Sequence, residues 1–201
     1  MYLVCADLEG IFTPEVWVNV ALKTGIEELK LTTRDIPDYD RLMKRRLEIL
    51  KENNIKLKDI QEIIEEIEPL PGALNFLNWL RENTQIIILS DTFIEFGMPF
   101  MRKLGYPTLL CHDLEIDKNG MISNYRLRIK DMKRKTVKAF KEMNYEIIAI
   151  GDSYNDTGML AEATYGILFR PPENVIKEFP DFSVVYSYEE LKSLIAKFLK
   201  I

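Results

Sequence analysis

Apolar positions along the chain follow two rhythms. Tyr2–Ala6, Gln85–Leu89, Glu146–Ile150, Tyr165–Phe169 and the shorter Val184–Tyr186 are unbroken runs of β-branched, aromatic and other apolar residues. A strand buried on one face alternates, whereas one covered on both faces does not. These runs therefore predict central strands of a parallel sheet lying between helices. Elsewhere apolar residues recur at helical spacing. Leu74, Leu77 and Leu80 follow Leu70-Pro71-Gly72 in a segment that runs to Asn83, and Met132–Met143 is basic and amphipathic. Ser187–Lys200 opens on a capping-box pattern, with Glu190 three residues after Ser187. Strands and helices in alternation predict an α/β sandwich with right-handed crossovers and a ligand site at the carboxyl ends of the strands.

Two stretches interrupt that alternation. From residue 12 to residue 69 the pattern is helical throughout, at Glu15–Thr24, Tyr39–Asn53 and Leu57–Ile67. One crossover needs only about a dozen residues. Residues 12–69 are therefore expected to form a helical cap subdomain, inserted into a core made of 1–11 and 70–201. In Leu109–Ile129, alternation flanks Asp117-Lys118-Asn119-Gly120, whose Asn-Gly pair signals a β-hairpin appended to the core. Glu62–Glu68 is acidic, but its isoleucines keep helical spacing, as on a solvated helix.

Composition narrows the function classes. A chain of 201 residues, 47% apolar and 29% charged, is ordinary for one main globular domain. With 27 Lys and Arg against 32 Asp and Glu, the net charge of −5 leaves no broad basic face for nucleic acid, though it allows a small basic pocket. Cys5 and Cys111 are too few for a disulfide framework, and Cys5 sits in an apolar run as a buried thiol, so a cytoplasmic location is expected. Met1–Ala6 is too short for a leader and is followed by Asp7. No run approaches the roughly 18 apolar residues of a membrane span, so no membrane partner is expected.

Reactive residues gather where the strands end. Asp7-Leu8-Glu9-Gly10 follows the first run, Ser90-Asp91-Thr92 the second, and Gly151-Asp152-Ser153-Tyr154-Asn155-Asp156 the third. On a parallel sheet these ends meet at one edge. Carboxylates clustered there repel one another unless a cation lies between them. A few hard oxygen ligands beside a phosphate suit Mg²⁺.

In that order, with a lysine between the second and third motifs, these residues resemble the haloacid-dehalogenase superfamily of phosphatases, whose motifs read DxDx(T/V), Ser or Thr, Lys, and GDxxxD. The match extends over the whole chain. The cap after the first motif and the Pro71-Gly72-Ala73 helix start resemble phosphoserine phosphatases. Within these, the chain is most similar to the bifunctional type that is also a homoserine phosphotransferase. That likeness rests on DLEG, Pro14-Glu15, Thr33-Arg34-Asp35-Ile36-Pro37-Asp38-Tyr39-Asp40, Leu89-Ser90-Asp91-Thr92-Phe93 and Gly151–Thr157.

The resemblance implies a Rossmann-like parallel sheet sandwiched by helices, and it implies roles. Asp7 is the expected nucleophile, forming an aspartyl-phosphate. Glu9 is the expected acid for the leaving alcohol and base for the next acceptor. Mg²⁺ falls to the Asp7 carboxylate, the Glu9 carbonyl and Asp152. Ser90 and Lys133 are expected on the phosphoryl group. Lys133 is chosen because it begins the crossover helix, with Lys130 as fallback. Asn155 is expected to bind substrate, and Asp156 to anchor the site or hold a water of the metal. Glu15 is expected on the substrate ammonium and Arg46 on its carboxylate; adjacent Arg45 is turned about 100° away on a helix. Phosphoserine is the expected substrate and homoserine a second one, and a homodimer is one option for the assembly.

Three positions depart from the phosphoserine phosphatase pattern. Glu9 is one methylene longer than the usual Asp. Asp91 replaces a Gly and can contact a substrate amine or a second hydroxyl substrate. Ile11 replaces a hydroxyl residue and removes one phosphate contact. Other residues read more plainly: His112 receives no role, Trp17 and Trp79 read as core or domain contacts, and Lys133–Lys141 is by default a solvated face. Two alternatives stand beside the main expectation. One is a same-fold phosphatase of another small phosphomonoester. The other is a phospho-aspartate signalling receiver, which needs neither the cap nor Glu9.

Overall fold

The computed structural model describes residues 1–32, 35–36 and 38–201; Thr33, Arg34 and Pro37 of the motif quoted above lie outside them. The first apolar run is strand β1, Tyr2–Ala6. Its Leu3 and Cys5 lie in one buried cluster and its Val4 and Ala6 in another, so β1 is covered on both faces. On one side of it lie β2 (Gln85–Phe93), β3 (Thr108–Ile116) and β4 (Ile122–Arg126), and on the other β5 (Glu146–Gly151), β6 (Tyr165–Phe169) and β7 (Ser183–Val185). The sheet order is β4-β3-β2-β1-β5-β6-β7, parallel except for the antiparallel β3–β4 pair. The order therefore reverses at β1, the switch point where open α/β sheets place their ligands.

Helices α1 (Val16–Thr24), α2 (Tyr39–Glu52) and α3 (Leu57–Glu66), with a 3₁₀ turn at Glu27–Lys30, lie in the stretch expected to be inserted. Val20, Met43, Leu50, Ile60 and Ile64 from these helices join the same apolar cluster as α4 (Ala73–Asn83), α5 (Ile94–Lys103) and α9 (Tyr188–Leu199) on one sheet face. The opposite face is covered by α6 (Met132–Glu142), α7 (Thr157–Glu162) and α8 (Glu173–Glu178) through Val137, Met159, Leu160 and Val175. Where the chain enters and leaves the insertion it is stitched together, the Leu70 N–H donating to the Phe12 carbonyl at 2.9 Å. Among the described residues no helix is long and apolar enough to cross a membrane.

The structure adds three features that the apolar pattern does not mark. The first is the length of β2, which runs past Leu89 to Phe93 with a bulge. Leu89 pairs with Leu110 but Phe93 pairs with His112, so β2 uses four steps where β3 uses two. The surplus pushes Ser90, Asp91 and Thr92 out of the ladder at the site's edge. The second is α5, which carries Pro99 in its interior. The carbonyl that loses its helical partner there, that of Glu95, instead accepts from Gln61 Nε2 of α3 at 2.9 Å. The third is the place of the hairpin: β3 pairs parallel with β2 at its start and antiparallel with β4 at its end, extending the sheet. Its turn is held by Asp117 Oδ1, which accepts the Asn119 and Met121 N–H groups at 2.8 and 2.9 Å.

Candidate active site

Backbone register brings the strand ends together. Ala6 pairs with both Ile88 and Ile150, and the Asp7 N–H donates to the Ile150 carbonyl at 2.9 Å. Asp7 therefore stands between Ser90 and Asp152, each two residues past the paired position. Asp7 Oδ1 accepts the Leu8 N–H at 2.7 Å and lies 3.0 Å from Lys133 Nζ. Its other carboxylate oxygen has no hydrogen-bond partner among the described residues. Burial, with Asp156 and Asp152 nearby, pushes the Asp7 carboxyl well above the usual range against the pull of Lys133.

Lys133, the second residue of α6, is only 4% exposed. Its ammonium lies 2.9 Å from Asp156 Oδ1, 3.0 Å from Asp7 Oδ1 and 3.5 Å from Asp91 Oδ2. Burial works to strip its proton, but Asp156, Asp7 and Asp91 outweigh burial and hold its pKa well above the lysine range. Lys130, the fallback, is exposed at the surface. Asp156 is fully buried and spent on structure: Oδ1 takes Lys133, while Oδ2 accepts the Asp152 and Ser153 N–H groups at 3.0 and 3.2 Å. A Cβ on Gly151 would come within 2.2 Å of the Asp156 Cβ, so only glycine lets this anchor lie against the strand end.

Carboxylate oxygens of Asp7, Asp152 and Asp156 lie within 4.8 Å of one another. With Asp156 occupied, Asp7 and Asp152 are left facing each other. Burial, then Asp156 and Glu15, push the Asp152 carboxyl up to about 7 against the pull of Lys133. Gly10, at φ +78°, supplies the clearance: a Cβ there would meet Asp152 Oδ2 at 2.4 Å. Hard oxygens, few in number and short of positive charge, fit a small divalent cation.

Glu9 Oε2 accepts the Val16 N–H at 3.1 Å, so its carboxylate sits on the first residue of α1. Burial and the adjacent Glu15 carboxyl raise Glu9 well above the usual range, and the Val16 N–H offsets part of that. The buried Ser90 Oγ accepts the Thr92 N–H at 3.2 Å across the bulge, leaving its hydroxyl proton to donate elsewhere. Burial tends to raise Asp91, but Lys133 and His112 overcome it and hold the carboxyl at about 2.

Arg46 lies on α2 with 8% exposure. Its Nη2 donates to the Leu31 carbonyl at 2.7 Å, its Nη1 faces Met43 Sδ at 3.7 Å, and its guanidinium lies over the Trp17 ring at 4.5 Å. Its buried Nε has no partner among the described residues. Burial lowers its pKa to about 10, so it remains a cation at neutral pH.

All the expected site residues except Asp156 line one cleft of about 260 Å³: Asp7, Glu9, Glu15, Arg46, Ser90, Asp91, Lys133, Asp152 and Asn155. Asp156 stands behind it. The cleft also exposes Trp17 and Tyr39, which the apolar pattern does not distinguish from core residues. Trp17 packs edge-on to Phe96 of α5 at 5.6 Å, but its face carries Arg46.

Known proteins resemble this chain in sequence and fold. The family model of the haloacid dehalogenase-like hydrolases matches residues 12–164. Phosphoserine phosphatase ThrH of Pseudomonas aeruginosa is 60% identical over 192 residues, which is 96% of this chain and 94% of that protein. A phosphoserine phosphatase of Pseudomonas syringae pv. tomato is 58% identical over 190 residues, 94% of this chain and 80% of the relative. Among solved structures, an apo phosphoserine phosphatase superposes with a TM-score of 0.77 at 20% identity, covering 95% of this chain and 98% of that one. A phospho-aspartyl intermediate analogue of phosphoserine phosphatase also gives 0.77, at 18% identity over 96% and 98%. A family match across most of the sequence, joined to a 60% identical relative covered almost end to end, makes this chain a member of the haloacid dehalogenase-like hydrolases.

Proposed function

We propose that the protein hydrolyses phosphoserine through an aspartyl-phosphate on Asp7 and passes the phosphoryl group to homoserine when that acceptor is present. The observation that carries the reading is a cleft with two anion-seeking ends. Lys133 and Ser90 serve a phosphate at one, and Arg46, with an unspent buried N–H, serves a carboxylate at the other. A buried guanidinium donor without a partner is costly and calls for an anion from outside the protein.

In the first step an Asp7 oxygen bonds to phosphorus while the ester P–O bond breaks. Glu9, whose carboxyl burial and Glu15 push toward the protonated form, gives its proton to the departing alkoxide. In the second step Glu9 takes the proton from water or from the homoserine hydroxyl. That oxygen bonds to phosphorus and the Asp7 carboxylate leaves. Lys133 faces the charge that develops on the phosphoryl oxygens from a fixed position, so little reorganisation is needed. Asp7, the Glu9 carbonyl and Asp152 would hold Mg²⁺, which when bound offsets the repulsion between carboxylate and phosphate. Glu15 and Asn155 contact the amino-acid part of the substrate. Residues 12–69 act as the cap over a core of 1–11 and 70–201, and a cytoplasmic setting fits two reduced, buried cysteines.

The test is incubation with Mg²⁺ and phosphoserine, with and without homoserine, measuring free phosphate and phosphohomoserine. Phosphohomoserine formed at the expense of phosphate is expected. Phosphate alone removes the transfer, and neither product removes the substrate assignment. Stoichiometric labelling without turnover points instead to a receiver.

A further inference from the structure

The chain has one histidine, and no step of the proposed reaction uses it. His112 lies on β3 opposite the β2 bulge and is only 3% exposed. Its Nδ1 accepts the Arg128 N–H at 3.2 Å, and its Nε2 faces Asp91 Oδ1 at 3.6 Å. A nitrogen that accepts carries no proton, so the neutral ring keeps its proton on Nε2, aimed at Asp91. The donor is itself fixed. Arg128 Nε donates to the Cys111 carbonyl at 3.2 Å, and its Nη2 reaches both Asp113 oxygens at 3.2 and 3.3 Å, clasping β3 on either side of the histidine.

Lys133 has three N–H donors, and three carboxylates face them. Asp156 and Asp7 stand at 2.9 and 3.0 Å, and Asp91 at 3.5 Å. An incoming phosphoryl oxygen needs one of these donors, and the Asp91 contact is the longest and the readiest to yield. Asp91 then needs something to hold it off the lysine. Its side chain is 38% exposed, and besides Lys133 the ring within 4 Å of it among the described residues is that of His112.

We infer that His112 is a positioning residue that keeps the Asp91 carboxylate from closing over Lys133, so that the third lysine donor stays open to the phosphoryl group of the substrate. The inference rests on the reading of Lys133 as a phosphoryl ligand. Its tests are separable from that reading.

The first test needs no turnover. In the full chain with Mg²⁺ and histidine labelled with ¹⁵N, one imidazole gives an unambiguous signal. The Nε2–H tautomer is expected, with an Nε2 signal that shifts in Asp91→Asn. An Nδ1–H tautomer, or an Nε2 signal indifferent to Asp91→Asn, overturns the inference.

The second test uses p-nitrophenyl phosphate, which has neither amine nor carboxylate. His112→Asn keeps an acceptor for Arg128 but loses the donor to Asp91. It is expected to raise KM roughly five- to tenfold with kcat within about twofold. His112→Gln keeps a donor near the Nε2 position, and Arg128 is exposed enough for water to take its N–H, so this variant is expected to stay near wild type. The double variant His112→Asn with Asp91→Asn is expected to be no worse than Asp91→Asn alone. Additive losses, or equal damage from Asn and Gln with a matching fall in Tm, reduce His112 to a structural residue. If wild-type protein turns over p-nitrophenyl phosphate but not phosphoserine, the substrate assignment fails while this inference is still decided.

Discussion

Arg45 and Arg46 are neighbours with identical side chains and opposite circumstances. Arg45 forks onto Glu28 at 2.8 and 2.9 Å and reaches Glu48 and Glu52 at 3.4 and 3.5 Å on the outer face of α2. These pairs are solvated, and such pairs are worth little. Arg46, about 100° round the helix, is buried with an N–H unspent. Replacing Arg46 with Met therefore removes a buried, under-satisfied cation and puts a thioether against the Trp17 ring. The expected outcome is a Tm no lower than wild type and a KM for phosphoserine raised about a hundredfold, the loss of a charge-assisted contact of roughly 3 kcal/mol. Turnover of p-nitrophenyl phosphate should change little. Arg45→Ala should leave phosphoserine kinetics unchanged. A Tm that falls steeply in Arg46→Met would make Arg46 a packing residue. At this scale much of the site was legible, because its residue types stand at motif spacing. Trp17 and His112 were not. Helical or strand periodicity marks both as inward-facing and says nothing about whether the inner side is core or cleft.

Elements place chemistry through what ends them. β1 and β5 stop where Asp7 and Asp152 begin, and that much follows from apolar runs meeting polar residues. The Ser187–Glu190 capping box also forms as expected: Ser187 Oγ accepts the Glu190 N–H at 3.2 Å, and Glu190 accepts the Ser187 N–H at 3.1 Å. The β2 bulge was not legible, since Ser90-Asp91-Thr92 reads as a loop until pairing with β3 resumes at Phe93. Nor was α5. Pro99 argues against a helix, and the Gln61 side chain that satisfies the freed carbonyl comes from another helix. The β1 and β5 ends also carry a cost that can be measured. Asp7 and Asp152 are near each other with a single Lys133 shared among several carboxylates, so Asp152→Asn should leave metal-free protein at least as stable as wild type. Mg²⁺ should reverse the ranking. A site filled to a hundredfold excess over Kd adds about 2.7 kcal/mol, or roughly 5–10 °C in a chain of this size. Asp152→Asn should lose most of that shift. Equal Mg²⁺ shifts in both proteins would exclude Asp152 as a ligand.

On the scale of the molecule, the proposed cap is attached to the core in two unequal ways. Along α3 and the residues that follow it, several ties are to main-chain acceptors, beside the Arg102–Glu65 and Lys103–Glu68 ion pairs at 2.8 and 2.6 Å. Lys103 Nζ grips the Glu65 and Ile67 carbonyls at 2.8 and 2.9 Å, Gln61 holds Glu95, and Leu70 bonds to Phe12 at the entry. Both sides share the apolar cluster of the sheet through Met43 and Leu50 of α2 and Ile60 and Ile64 of α3, so it is the bonds to main-chain acceptors that give the α3 side the character of a pivot. Along α2, the helix that carries Arg46, the cap meets the hairpin through side chains. Tyr125 OH donates to Asp40 Oδ1 at 2.7 Å, the Tyr39 and Tyr125 rings meet edge to face at 5.9 Å, and Tyr39 OH reaches the Asp91 carbonyl at a long 3.5 Å. A cleft that takes in a substrate and lets a product go must open somewhere. The side with few and partly solvated bonds opens at less cost than the side held by more bonds, several of them to main-chain acceptors. Tyr125→Phe keeps the ring pair and deletes one partly solvated hydrogen bond, a loss of about 1 kcal/mol. It should barely move Tm, raise the KM for phosphoserine roughly three- to fivefold, and leave kcat equal or higher, with less dependence of kcat on solvent viscosity. A Gln61→Ala variant, on the pivot side, should show the converse, a lower Tm with KM unchanged. If Tyr125→Phe leaves KM and the viscosity effect untouched while Gln61→Ala raises KM, then the cap turns about α2, and Arg46 stays fixed while α3 moves.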